Sequence, residues 1–86
     1  MSIEEKYKAN NLVMQKKVKE EIEKVSNGTS SKNLNQLYTI LEELTQMLIE
    51  KRLPVKFSRF IVDSWDYQDE LGIELLDLAS LYKRWK

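Results

Sequence analysis

The chain has 86 residues, with 14 Lys plus Arg against 14 Asp plus Glu, and neither cysteine nor histidine. That length holds one domain, residues 1–86, and the balanced charge disfavours nucleic acid, whose nonspecific capture needs a surplus of cations to displace counterions. Without cysteine or histidine there is no disulfide, no thiolate or imidazole metal ligand and no Ser-His or Cys-His nucleophile pair. The composition therefore points to binding, with no enzyme activity, no catalytic residue, no metal site and no cofactor.

No apolar run approaches the length of a membrane span. The N-terminal stretch MSIEEKYKANNLVMQKK carries acids where an export signal has a basic start. The expected location is the cytoplasm.

One proline and two glycines among many Leu, Glu, Lys and Gln residues predict an all-α chain. The first helix is expected over about residues 3–25, opened by a Ser2/Glu5 capping box. Its apolar stripe is Ile3, Tyr7, Met14, Val18, Ile22 and Val25, interrupted by Asn11. This stripe is the narrowest in the chain, so helix 1 is expected to be loosely held or to form a homodimer with a second copy. On its charged surface, Lys16–Glu20, Lys17–Glu21 and Lys19–Glu23 stand one turn apart and predict intrahelical ion pairs. The turn residues 26–31 then end it.

The second helix is expected over about residues 32–52. Leu34, Leu37, Leu41, Leu44 and Leu48 repeat at three and four and predict its buried seam, widened by Tyr38, Ile40 and Met47. Leu53-Pro54 ends it, and Pro54 suits the first turn of a third helix over about 55–65.

Two readings of the C-terminal part stay open. Phe57, Ile61, Ser64, Gln68, Leu71, Leu75, Leu78, Tyr82 and Trp85 keep a helical spacing that fits one continuous helix, giving three in all. Against it, Asp63, Ser64 and Asp66 favour helix starts and Gly72 weakens a helix interior. The preferred reading breaks near Trp65–Asp66 and places a fourth helix over about 67–85. Four helices with short links give an antiparallel bundle.

Phe57, Phe60, Ile61 and Trp65 share a face and read as core. Val62 and Tyr67 fall off it and are candidates for an exposed contact. On a continuous helix Asp63, Asp66, Glu70, Glu74 and Asp77 would line one side as a solvated acidic face. The tail SLYKRWK supplies Tyr82, Lys83, Arg84 and Trp85, a basic-aromatic group suited to a partner or to a membrane surface. The candidate partner-binding residues are therefore Val62, Tyr67, Tyr82, Lys83, Arg84 and Trp85. The functional expectation is an interaction module, an adaptor, inhibitor or regulator, that binds a protein through its aromatic and charged C-terminal half.

The stretches LNQLYTILEELTQMLIEK and YQDELGIELLDLASL, in a chain of this length and helix order, resemble the small immunity proteins that protect Gram-positive bacteria from their own pediocin-like bacteriocins. The link between helices 2 and 4 is shorter than in that family. The resemblance implies a four-helix antiparallel bundle acting at the cytoplasmic face of the membrane, with the C-terminal half and residues 82–86 as the specificity region. It carries over no catalytic residue.

Overall fold

A computed structural model describes residues 2–66 and 68–85. Four helices are present among them: α1 Ile3–Ser26, α2 Leu34–Ile49, α3 Phe57–Ser64 and α4 Glu70–Trp85. Each packs on two others: α1 lies against α2 and α4, and α3 closes the ring from the other side. The bundle measures 39 × 22 × 19 Å. No described helix is long and apolar enough to cross a membrane.

The pairing is antiparallel throughout. Tyr7 and Asn11, early in α1, reach the carbonyls of Met47 and Leu44, late in α2. Tyr7 also meets Tyr82 near the end of α4, while Lys17 pairs with Glu74 near its start. The first turn of α3 lies by Glu43 of α2, and Trp65 at its other end lies by Gln36.

α1 starts where Ser2 Oγ accepts the Glu5 amide at 3.1 Å, the side-chain-to-backbone half of the expected capping box. It ends in a Schellman turn. Thr29 N–H donates to Lys24 O at 2.8 Å and Gly28 N–H to Val25 O at 3.1 Å, with Gly28 at φ +79°, a region that favours glycine. Its stripe is used inside the chain: Tyr7, Met14 and Val18 are buried, with Ile22 and Val25 packed behind them. The expected looseness of helix 1 is therefore corrected. Lys17 and Glu21 also bond outside α1, to Glu74 and Lys32, where intrahelical pairs were expected.

In α2, Asn33 is the N-cap, its side chain accepting from Gln36 N–H at 3.1 Å. The buried seam is Leu37, Ile40, Leu44 and Met47. Leu34, Leu41 and Leu48 are only half-buried, and Tyr38 is 53% exposed. The predicted leucine seam is thus rotated toward Ile40 and Met47, because α1 and α3 pack on that side of α2.

α2 stops at Ile49, three residues before the expected end at residue 52. Glu50 is extended (φ −109°, ψ 138°), and the Tyr82 hydroxyl binds its carbonyl. Pro54 lies in the link, and α3 begins at Phe57. No side chain of α3 caps its own start. The Glu43 carboxylate does so from α2, accepting from Lys56 and Phe57 amides at 2.6 and 3.3 Å. Since α3 has only eight residues, the link ahead of it supplies Leu53 and Val55 to the rest of the core.

The continuous-helix alternative is corrected as well. Trp65 is extended (φ −96°, ψ 153°) and ends α3. Asp66 makes a turn by accepting the Gln68 amide at 2.9 Å, and Asp69 caps the next helix by accepting Gly72 N–H at 3.1 Å. Those two aspartates delay α4 to residue 70, past the expected start at 67. A Cβ on Gly72 would stand 3.1 Å from Ile61 Cγ2 and 3.2 Å from Trp65 Cε3. Its bare backbone lets α3 and α4 approach closely.

Candidate functional site: a cationic end around an aromatic cluster

Two tyrosines and a tryptophan gather where α1 begins and α4 ends. The Tyr7 and Trp85 rings are stacked at 5.0 Å and 20°. Tyr82 tilts against both, at 5.2 Å from Tyr7 and 5.8 Å from Trp85. Such offset and tilted pairs suit the ring quadrupoles.

Polar groups fix the cluster. Tyr7 donates to Met47 O at 3.0 Å and accepts from Asn11 Nδ2 at 2.9 Å. The same Asn11 amide donates to Leu44 O at 3.1 Å, and its oxygen accepts from Gln15 Nε2 at 2.6 Å. The residue that interrupts the apolar stripe is thus the buried hub joining α1 to α2. Burial pushes the Tyr7 phenol up to about 12, against a smaller downward pull from Asn11, so the ring stays neutral. Tyr82 donates to Glu50 O at 2.6 Å and accepts from Leu53 N–H at 3.0 Å, holding the link beside α4.

Around this cluster the charge is cationic. The ammonium groups of Lys51 and Lys8 lie 5.1 and 5.8 Å from the Trp85 ring centre, within cation–π range. Lys83 and Arg84 follow on the last turn of α4 and are exposed. Lys6, Lys51, Arg52, Lys83 and Arg84 have no carboxylate partner among the described residues. Ile49 beside them is 81% exposed.

The opposite end is neutralised internally. Lys32 sits 2.6 Å from Asp69 and 3.3 Å from Glu21, over the face of Trp65. Burial alone would lower the Lys32 ammonium, but Asp69 and Glu21 together raise it. Asp69 shifts down: burial opposes its ionisation, and Lys32 and the Gly72 amide outweigh that. With α3 broken from α4, Asp63 and Asp66 do not share a helix with Glu70, Glu74 and Asp77. The single acidic face expected on a continuous helix is absent from the fold.

A groove of about 380 Å³ runs between α1 and α4. Met14, Leu78 and Leu81 are in its lining, Lys6 and Arg84 come from the cationic end, and Glu74 and Asp77 from the other.

The sequence-predicted contacts separate in space. Lys83, Arg84 and Trp85 share the cationic end. Tyr82 is corrected: it is fully buried, because it stands on the same stripe as Leu71, Leu75 and Leu78, and its ring is core. Val62 is 71% exposed but lies on α3. Tyr67 and Lys86 lie outside the described residues. Phe57 and Ile61 are buried, with Phe60 and Trp65 packed behind them. Sequence reasoning missed Lys51 and Arg52 as neighbours of the tail. Antiparallel pairing of α1 with both α2 and α4 was the available signal, since it brings the ends of α2 and α4 together.

Comparison with family models, with curated proteins and with solved structures finds no match to this chain.

Proposed function

We propose that this chain is a non-enzymatic interaction module of the cytoplasm, an adaptor, inhibitor or regulator, that binds an acidic protein partner at its cationic end. The observation that carries this reading is the gathering of cations around Trp85. Lys17 and Lys32 are paired with Glu74, Glu21 and Asp69, and Lys8 with Glu4, whereas Lys6, Lys51, Arg52, Lys83 and Arg84 have no carboxylate partner among the described residues. Unpaired surface cations steer and orient an acidic partner. Trp85, anchored by Tyr7, gives the contact a rigid centre. Tyr82 supports it from within by holding the 50–53 segment in place.

The test is capture from the native cell with wild type and with Lys83→Glu/Arg84→Glu. Binding that weakens with salt and is lost in the reversed variant, at unchanged helical content, supports the reading. A partner held equally by both variants contradicts it.

A second reading is favoured by Ile49, which stands 81% exposed beside these cations. In it the same end rests on an anionic membrane surface, as the likeness to bacteriocin immunity proteins implies. Sedimentation with phosphatidylglycerol vesicles, set against phosphatidylcholine vesicles, separates it from the protein-partner reading.

A further inference from the structure

α2 carries two apolar seams. One, Leu37, Ile40, Leu44 and Met47, is buried in the bundle. The other is Leu34, Tyr38, Leu41, Thr45 and Leu48, spaced four, three, four and three, the period of a seam that meets another helix. This second seam is open only in part, since Leu41 also packs against the core. Tyr38 is 53% exposed, Thr45 is exposed, and the three leucines are half-buried. Ile49 extends it by one residue.

The seam bears no charge from Leu34 to Ile49. Thr45 closes its own hydroxyl onto Glu42 O at 2.6 Å, so nothing polar there demands water except the Tyr38 phenol. Two other exposed apolar sites sit among charges: Val62 shares α3 with Arg59 and Asp63, and Trp85 sits with Lys83 and Arg84. Trp85, set against its own copy, brings like charges together. The α2 seam does not.

Its borders are complementary as well. Gln36 and Glu43 mark the α3 side of α2, and Leu44 and Met47 meet α1, so the seam lies at the outer flank next to α1. Glu42 borders its far edge. Lys19 lies on α1 one turn beyond Gln15, which bonds to the Asn11 that meets α2, and neither Glu42 nor Lys19 has an ion partner among the described residues. A two-fold axis along α2 places the acidic edge of each copy toward the basic side of the other, the isologous geometry of a symmetric dimer.

We propose that the chain pairs with a second copy of itself through this uncharged seam of α2, Leu34, Tyr38, Leu41, Thr45 and Leu48. The contact is one helix face per copy, smaller than a standard interface of about 800 Å² per partner, so the dimer is concentration-dependent. It stops at Ile49, on the border of the cationic end.

Sedimentation velocity from micromolar to millimolar protein tests it. Wild type is expected to move from the mass of one 10.2 kDa chain toward twice that mass. Tyr38→Glu/Ile49→Glu is expected to remain at the mass of one chain, with unchanged helical circular dichroism. Thr45→Lys, at an exposed position, gives the same readout should the double variant lose its fold. A wild type that stays single at millimolar concentration overturns the proposal. So does a dimer that survives undiminished in a folded charge variant, because it would then use another face.

Discussion

The Tyr82 hydroxyl donates to the carbonyl oxygen of Glu50 at 2.6 Å, joining the last turns of α4 to the residue that ends α2. The Tyr82 hydroxyl oxygen in turn accepts from Leu53 N–H at 3.0 Å. One phenol therefore shapes the segment that carries Lys51 and Arg52 and sets their position beside Trp85. Tyr82→Phe keeps the ring and removes both bonds. The expected cost is about 1–3 kcal/mol, as for buried hydrogen bonds to backbone groups, read from urea unfolding at an unchanged m value. A loss below about 0.5 kcal/mol would show that the segment holds itself.

The Tyr7 phenol is raised from 10.0 to about 12 by burial. In that window the unfolded chain has released the proton and the folded chain still holds it, so stability falls as pH rises. Unfolding measured from pH 9 to 12 should show this decline, and Tyr7→Phe should flatten it. Asn11→Ala removes the hub of the same network and leaves the Gln15 amide without its acceptor. It should cost about 2–3 kcal/mol.

Gly72→Ala sets two effects against each other. Alanine favours the helix by about 1 kcal/mol. Its methyl carbon, however, would press on Ile61 at 3.1 Å and Trp65 at 3.2 Å. Ile61 is buried and Trp65 is tied to Gln36 at 3.1 Å, so neither yields easily. Crowding at about 1–3 kcal/mol wins, and the variant should melt lower than wild type. A higher melting point would mean that α3 moves aside freely.

Asp69 is held below its ordinary 3.8 by Lys32 and the Gly72 amide, despite burial. Its contribution is present above pH 3.8 and is lost as pH falls through the folded value. Asp69→Asn keeps a capping oxygen for Gly72 but removes the charge. Its unfolding curve should be flatter than that of wild type below about pH 4. Equal slopes would assign the acid sensitivity elsewhere.

Much of the bundle was legible in the sequence because its signals are local. Ser2 and Gly28 mark the ends of α1, and Trp65–Asp66 marks the break before α4. The tertiary features were hidden. Asn11 reads as a fault in a stripe until Tyr7 and the Leu44 carbonyl are placed beside it. Tyr82 reads as part of a tail, although its spacing from Leu71, Leu75 and Leu78 already put it on the buried face. The end of α2 depends on a hydroxyl 32 residues away, which no local pattern announces. Lys51 joins the cationic end only through antiparallel pairing.

The most direct measurement of the central claim is amine footprinting of the chain in its native cell extract against the purified chain. Lys51 and Lys83 should be selectively protected in the extract, with Lys24 at the neutralised end unchanged. Equal labelling of all three in both samples would contradict it.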